Sequence, residues 1–135
     1  MKKIFLALVF TIISLLSYSQ KMSDNEIYSL LQESSVTMNK KCPMMVDDIT
    51  RLDCVKSYEP KTIEYKYTLL AAKCDYTEEQ ITSIKNNMEK SLIDNVKNKS
   101  VMVILTDNDV TFIYSYKDKF GDPFFTVKIY PYQYK

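Results

Sequence analysis

Two helix starts are written into this chain in the same way, and each leads on to the same strand signature. Ser23-Asp24-Asn25-Glu26 is a capping box, with Met22 and Ile27 placed as a hydrophobic staple. Thr77 and Gln80 repeat the box, and Tyr76 and Ile81 repeat the staple. After the first box, Ile27, Leu30, Leu31 and Met38 fall at helical spacing. Lys40 and Lys41 suit the negative end of a helix, and Pro43 stops it. The spacing predicts a helix over 24–40. After the second box, Ile81, Ile84, Met88, Leu92 and Val96 form one apolar stripe, backed by Lys85, Asn86, Glu89 and Lys90. This predicts a helix over 78–97.

Strand-like alternation follows each helix. Ile63, Tyr65, Tyr67 and Leu69 alternate with Glu64, Lys66 and Thr68. The turn before them is Glu59-Pro60-Lys61-Thr62, with Pro60 set for the first central position. Pairing Tyr58 with Ile63 sets Leu52 against Leu69 and Cys54 against Tyr67, all on the core face. A slip of one residue would set Lys66 against Cys54. In the second half, Val110, Phe112, Tyr114 and Tyr116 alternate with polar neighbours, and Asp118 to Asp122 with Gly121 form a turn. Phe125, Val127 and Ile129 then alternate up to Pro131, and the tail from Tyr132 is expected to be loose. The fold class expected is α+β, in the order helix, hairpin, helix, hairpin. It should form an antiparallel sheet of four to five strands with two helices on one face. An old duplication or convergence on a common solution would each explain the likeness of the halves.

Before the first helix stands MKKIFLALVFTIISLLSYSQ, with Lys2 and Lys3 ahead of an apolar run over 4–16 and small residues at Ser17 and Ser19. This reads as a signal peptide, 1–19, cut before Gln20. The run is too short for a membrane span, which needs about 20 apolar residues. The expected product is an exported α+β domain, 20–135, soluble in the periplasm or outside the cell. Loss of Lys2 and Lys3 leaves 16 basic residues against 17 acidic ones, which disfavours a nucleic-acid partner. The chain has no histidine and one glycine. It therefore lacks an imidazole base, a histidine metal ligand and a glycine-rich phosphate cradle. No cofactor is expected.

A longer pattern runs through the chain: Asn39-x-x-Cys42-Pro43-x-x-Val46-Asp47-x-x-Thr50-x-Leu52-Asp53, then Tyr65-x-Tyr67-Thr68-Leu69, then Tyr114-x-Tyr116-x-Asp118 ahead of Gly121. It resembles a family of small exported bacterial proteins of unknown function. The resemblance supplies no catalytic residue. It implies a helical turn over the apolar run 101–105, where period alone leaves strand and helix open.

Three features invite chemistry. Cys42, Cys54 and Cys74 form an odd set in a chain expected to meet oxidising conditions. Cys42 and Cys74 flank the first hairpin and are the expected disulfide pair, with Cys54 buried as a small hydrophobe. A zinc site would want four ligands at a spacing that is absent. Asp47 and Asp53, with Asp48 and the single arginine Arg51 nearby, could serve as an acid/base pair of a small envelope hydrolase. A turn and an ion pair explain them more simply. Asp107-Asn108-Asp109 lacks the glycine and distant glutamate of a calcium loop.

The aromatic residues offer a further site. With helices on one face of the sheet, Ile113, Phe124 and Tyr130 are expected to stay open on the other, rimmed by Lys66, Lys117 and Lys128. The functional expectation is an exported, non-enzymatic binding module, such as a periplasmic inhibitor or immunity-type protein. Its partner would be an unknown protein or a cell-envelope component. The competing expectations are the hydrolase using Asp47 and Asp53 and a purely structural envelope protein.

Overall fold

A computed structural model describes residues 21–135; the expected signal peptide lies outside the described residues. Both capping boxes form. Ser23 Oγ accepts from Glu26 N and Glu26 Oε2 accepts from Ser23 N, opening helix α1 (Asp24–Asn39). Thr77 and Gln80 exchange the same two bonds at the start of helix α2 (Glu78–Asn98). Each box satisfies backbone donors that a bare helix end would leave unpaired.

The strands are β1 (Met44–Met45), β2 (Thr50–Tyr58), β3 (Thr62–Leu69), β4 (Thr111–Lys117) and β5 (Pro123–Ile129). They form one sheet in the order β1-β2-β3-β4-β5. The expectation of a wholly antiparallel sheet is corrected here, because β3 and β4 run parallel. The cause is the helix between them. Strand β3 advances about 26 Å over its eight residues, and the 21 residues of α2 return about 32 Å. One such traverse delivers the chain to the end where β3 began, which is the crossover that parallel neighbours require.

The register of the first hairpin also differs from expectation. Tyr58 pairs with Thr62, Thr50 with Leu69, Leu52 with Tyr67, and Cys54 with Lys66. A bulge between Leu52 and Cys54 absorbs Asp53. The extra residue flips the alternation, so Leu52 and Val55, three apart, are both fully buried. Cys54 is turned out of the core position expected for it and is half-buried.

Two short helices complete the chain. The apolar run is helical, a 3-10 turn (Ser100–Met102) leading into α3 (Val103–Asp107). The tail is ordered, where it was expected to be loose. Pro131 opens a short helix α4 (Pro131–Tyr134), as proline's fixed φ favours at a first helical position. Tyr134 is buried, its hydroxyl donating to Val110 O at 2.7 Å and its ring edge-on to Phe112. Gly121 sits in the β4–β5 turn at φ 90°, which glycine adopts without a steric cost.

Candidate binding cleft

The motif residues between α1 and β2 hold the edge of the sheet. The Asn39 side chain donates from Nδ2 to Val55 O at 2.8 Å and accepts from Val55 N at Oδ1 at 2.7 Å. One amide thus stands in for a strand partner and closes both backbone groups of Val55 on an otherwise open edge. Asp47 Oδ1 accepts from Ile49 N and Thr50 N, tying the β1–β2 turn. Asp118 does similar work at the far end. Its carboxylate accepts from Lys73 N, Phe120 N and Asp122 N at 2.8–2.9 Å. Those bonds, led by the one from Lys73, hold its pKa below the usual carboxylate value.

Helix α1 packs on β2 and β3, whereas α2 leans chiefly on β5 and α4. Between them lies a cleft of about 490 Å³. Its floor is a ladder of tyrosines set by the parallel register. Tyr65 stacks on Tyr114 at 5.3 Å, and Tyr67 on Tyr116 at 4.9 Å. Phe125 extends the row beside Tyr116 at 4.8 Å. Met38 of α1 forms one wall with Val46, Asp47 and Thr50; Met102 and Leu105 also line the cleft. The other wall is α2, which presents two parallel stripes: apolar Ile84, Met88 and Leu92, and uncharged polar Asn87, Ser91 and Asn95. Each stripe follows the i, i+4, i+8 rule of one helix face. The apolar stripe is only half-buried, although Ile81 and Val96 at either end of it are in the core.

Burial pushes the hydroxyls of Tyr65, Tyr67, Tyr114 and Tyr116 above the ordinary tyrosine pKa. The neighbouring phenols add to the shift at Tyr67 and Tyr114, and Asp47 adds to it at Tyr116. All four therefore stay neutral, as phenols with apolar faces. The cleft combines an apolar floor with a few polar groups at its rim, a lining that ligand sites commonly share.

The carboxylates proposed as an acid/base pair do not share a site. Asp53 accepts from Arg51 Nε at 2.6 Å and from Thr68 Oγ1 at 2.5 Å, with Lys117 Nζ at 4.0 Å. Thr68 follows Tyr67 in β3 and so points away from the tyrosine floor. Asp53 belongs to that outer face and Asp47 to the cleft. Glu64 is also on the outer face, bonded by the hydroxyls of Tyr58 and Ser115 at 2.6 Å each. Burial alone would push its carboxyl up, and these two bonds together with the Lys66 and Lys56 charges more than offset that, while its bond to Tyr58 pushes that hydroxyl up to about 12. Among the described residues, no three Cys, Asp or Glu side chains gather as a metal ion would require.

The expected open face is partly assembled. Ile113 lies opposite Lys128 and Glu64, half-buried. Lys66 is half-buried, and Lys117 and Lys128 are exposed. Tyr130 is 40% exposed and stacks on Tyr132. Phe124 departs from expectation, with 5% exposure. Lys117 pairs with Pro123 and Tyr116 with Phe125, so Phe124 is the extra residue of a second bulge and turns in against Tyr76 and Phe125.

The expected Cys42–Cys74 bridge is not seen, and Cys42, Cys54 and Cys74 are each free thiols. Cys74 follows Lys73, which Asp118 holds beside the end of β4, whereas Cys42 lies at the outer edge by β1. Three strand spacings, about 14 Å, separate those positions, and a disulfide spans Cα atoms no more than about 7 Å apart.

Residues 27–122 match the family described as Domain of unknown function (DUF8479). The chain belongs to that family. No curated protein matches it in sequence. Three solved structures share the fold. A protein from Pseudomonas aeruginosa described as secreted aligns with a TM-score of 0.68 at 15% identity, over 89% of this chain and 99% of that one. The pilotin EpsS of the Vibrio vulnificus type 2 secretion system aligns at 0.62 and 7% identity, over 83% and 94%. The pilotin AspS of the Vibrio cholerae type II secretion system aligns at 0.58 and 10% identity, over 82% and 94%. Identities this low establish a shared fold. No helix of the described residues is long and apolar enough to cross a membrane.

Proposed function

We propose that this DUF8479 protein is an exported, non-enzymatic binding module whose site is the tyrosine-floored cleft. The observation that carries the reading is the half-buried stripe Ile84, Met88 and Leu92, facing Tyr65, Tyr67, Tyr114 and Tyr116 across about 490 Å³. These apolar side chains pack against the core along one side and leave the other side open to the cleft. Such a surface gains free energy when another molecule covers it, by roughly 25 cal/mol per Å² of apolar area removed from water. The occupant in this reading is an apolar segment of a cell-envelope protein, with Asn87, Ser91 and Asn95 hydrogen-bonding at its border. An inhibitor or immunity-type role in the periplasm is the form we expect this binding to take. The leader-like residues 1–19 and the fold shared with pilotins and a protein described as secreted support an envelope setting.

A photo-reactive residue at position 92, in protein expressed in its native cell, tests this. A single abundant cross-linked protein is the expected product. Cross-linking only to lipid or glycan would replace the protein partner with a small ligand. No product at position 92, with product at position 128, would move the site to the outer face.

A further inference from the structure

Cys42 is bracketed against Cys54 from both sides. On one side, Asn39 is tied to Val55 by two hydrogen bonds. On the other, Met44 pairs with Leu52. The two anchors fix residues 39 and 44 against residues 55 and 52, so the chain between them carries Cys42 past the stretch that holds Cys54. Both cysteines are half-buried, whereas Cys74 is exposed at a distance. The neighbourhood shows in the electrostatics too: burial pushes the Cys42 thiol up, and the nearby Cys54 and Asp53 push it further.

We propose that Cys42 and Cys54 form an intrachain disulfide that clamps β1 to β2 and leaves Cys74 as the remaining thiol. The reaction is exchange with the disulfide of an envelope dithiol oxidant. One cysteine, as thiolate, attacks an oxidant sulfur and forms a mixed disulfide, releasing one oxidant thiol. The second cysteine, also as thiolate, displaces the other. The two cysteines lose two electrons and two protons in all, and the oxidant gains them as a dithiol. The bond closes a short loop that carries Val46, Asp47 and Thr50, which line one wall of the cleft. The proposal stands whether or not the cleft binds a protein.

The test uses the full chain, reduced and then treated with oxidised glutathione as the probe. Arg51 lies between the two cysteines, so trypsin separates them unless they are bridged. The expected result is one tryptic species joining the Cys42 and Cys54 peptides, retained in Cys74→Ser and lost in Cys54→Ser. Glutathione held separately on Cys42 and Cys54, free thiols at both, or a bridge that includes Cys74 would each overturn the proposal. Should Cys54→Ser fail to fold, Cys74→Ser decides the matter alone, because Cys74 is exposed.

Discussion

Tyr67 of β3 and Tyr116 of β4 stack with ring centroids 4.9 Å apart and planes 13° from parallel, on the floor of the cleft between the two long helices. The pair joins the halves of the chain through the one parallel contact in the described sheet. Truncation should be costly and loss of the hydroxyl should not. Tyr116→Ala is expected to lower stability by about 3 kcal/mol, and Tyr116→Phe by less than about 1 kcal/mol. Urea unfolding at constant m-value measures both.

Asn39 takes the place of a strand neighbour for Val55. Its replacement by alanine leaves a partly buried N–H and C=O unpaired, at a cost of about 2 kcal/mol. Asn39→Asp keeps the acceptor and loses the donor, so it should fall between alanine and the native residue in the same assay.

Asp118 sets an acid limit. Its folded pKa lies below its unfolded value, near 4, because backbone N–H groups favour the ionised form. Its contribution is therefore present above about pH 4 and is lost as the pH falls through the folded pKa. Asp118→Asn should flatten the acid limb of a stability–pH curve. An unchanged limb would assign that limb to other carboxylates.

The cleft stripe should be separable from the fold. Leu92 is only half-buried, so Leu92→Lys is expected to cost about 1–2 kcal/mol and leave the protein folded while abolishing partner capture. Asp53→Asn, on the outer face, should still capture the partner. Loss of capture with native stability would bring that outer-face carboxylate into the site.

The helices were legible to within a residue or two, because each capping box marks its start with side chains that can do little else there. Strand direction was not, since alternation is the same read from either end. Direction depended on α2 being long enough to recross the sheet. The two bulges left no sign either. Asp53-Cys54 and Phe124-Phe125 read as ordinary alternation until pairing shows which residue is extra, and each bulge displaced an expected side chain, Cys54 and Phe124. The tail was misread although Pro131 at a first helical position was visible. The cleft was half-visible. The stripe Ile84, Met88 and Leu92 was identified, but not as the wall of a cleft. The missed signal was its neighbour: Asn87, Ser91 and Asn95 put short uncharged groups where a fully solvated face would carry lysine and glutamate.

The most direct test compares capture from the native envelope fraction by three forms of the tagged protein: native, Leu92→Lys and Lys128→Glu. The expected result is one stoichiometric partner held by the native and Lys128→Glu forms and absent from Leu92→Lys. A partner kept by Leu92→Lys and lost from Lys128→Glu would contradict the cleft as the binding site and place it on the outer face of the sheet.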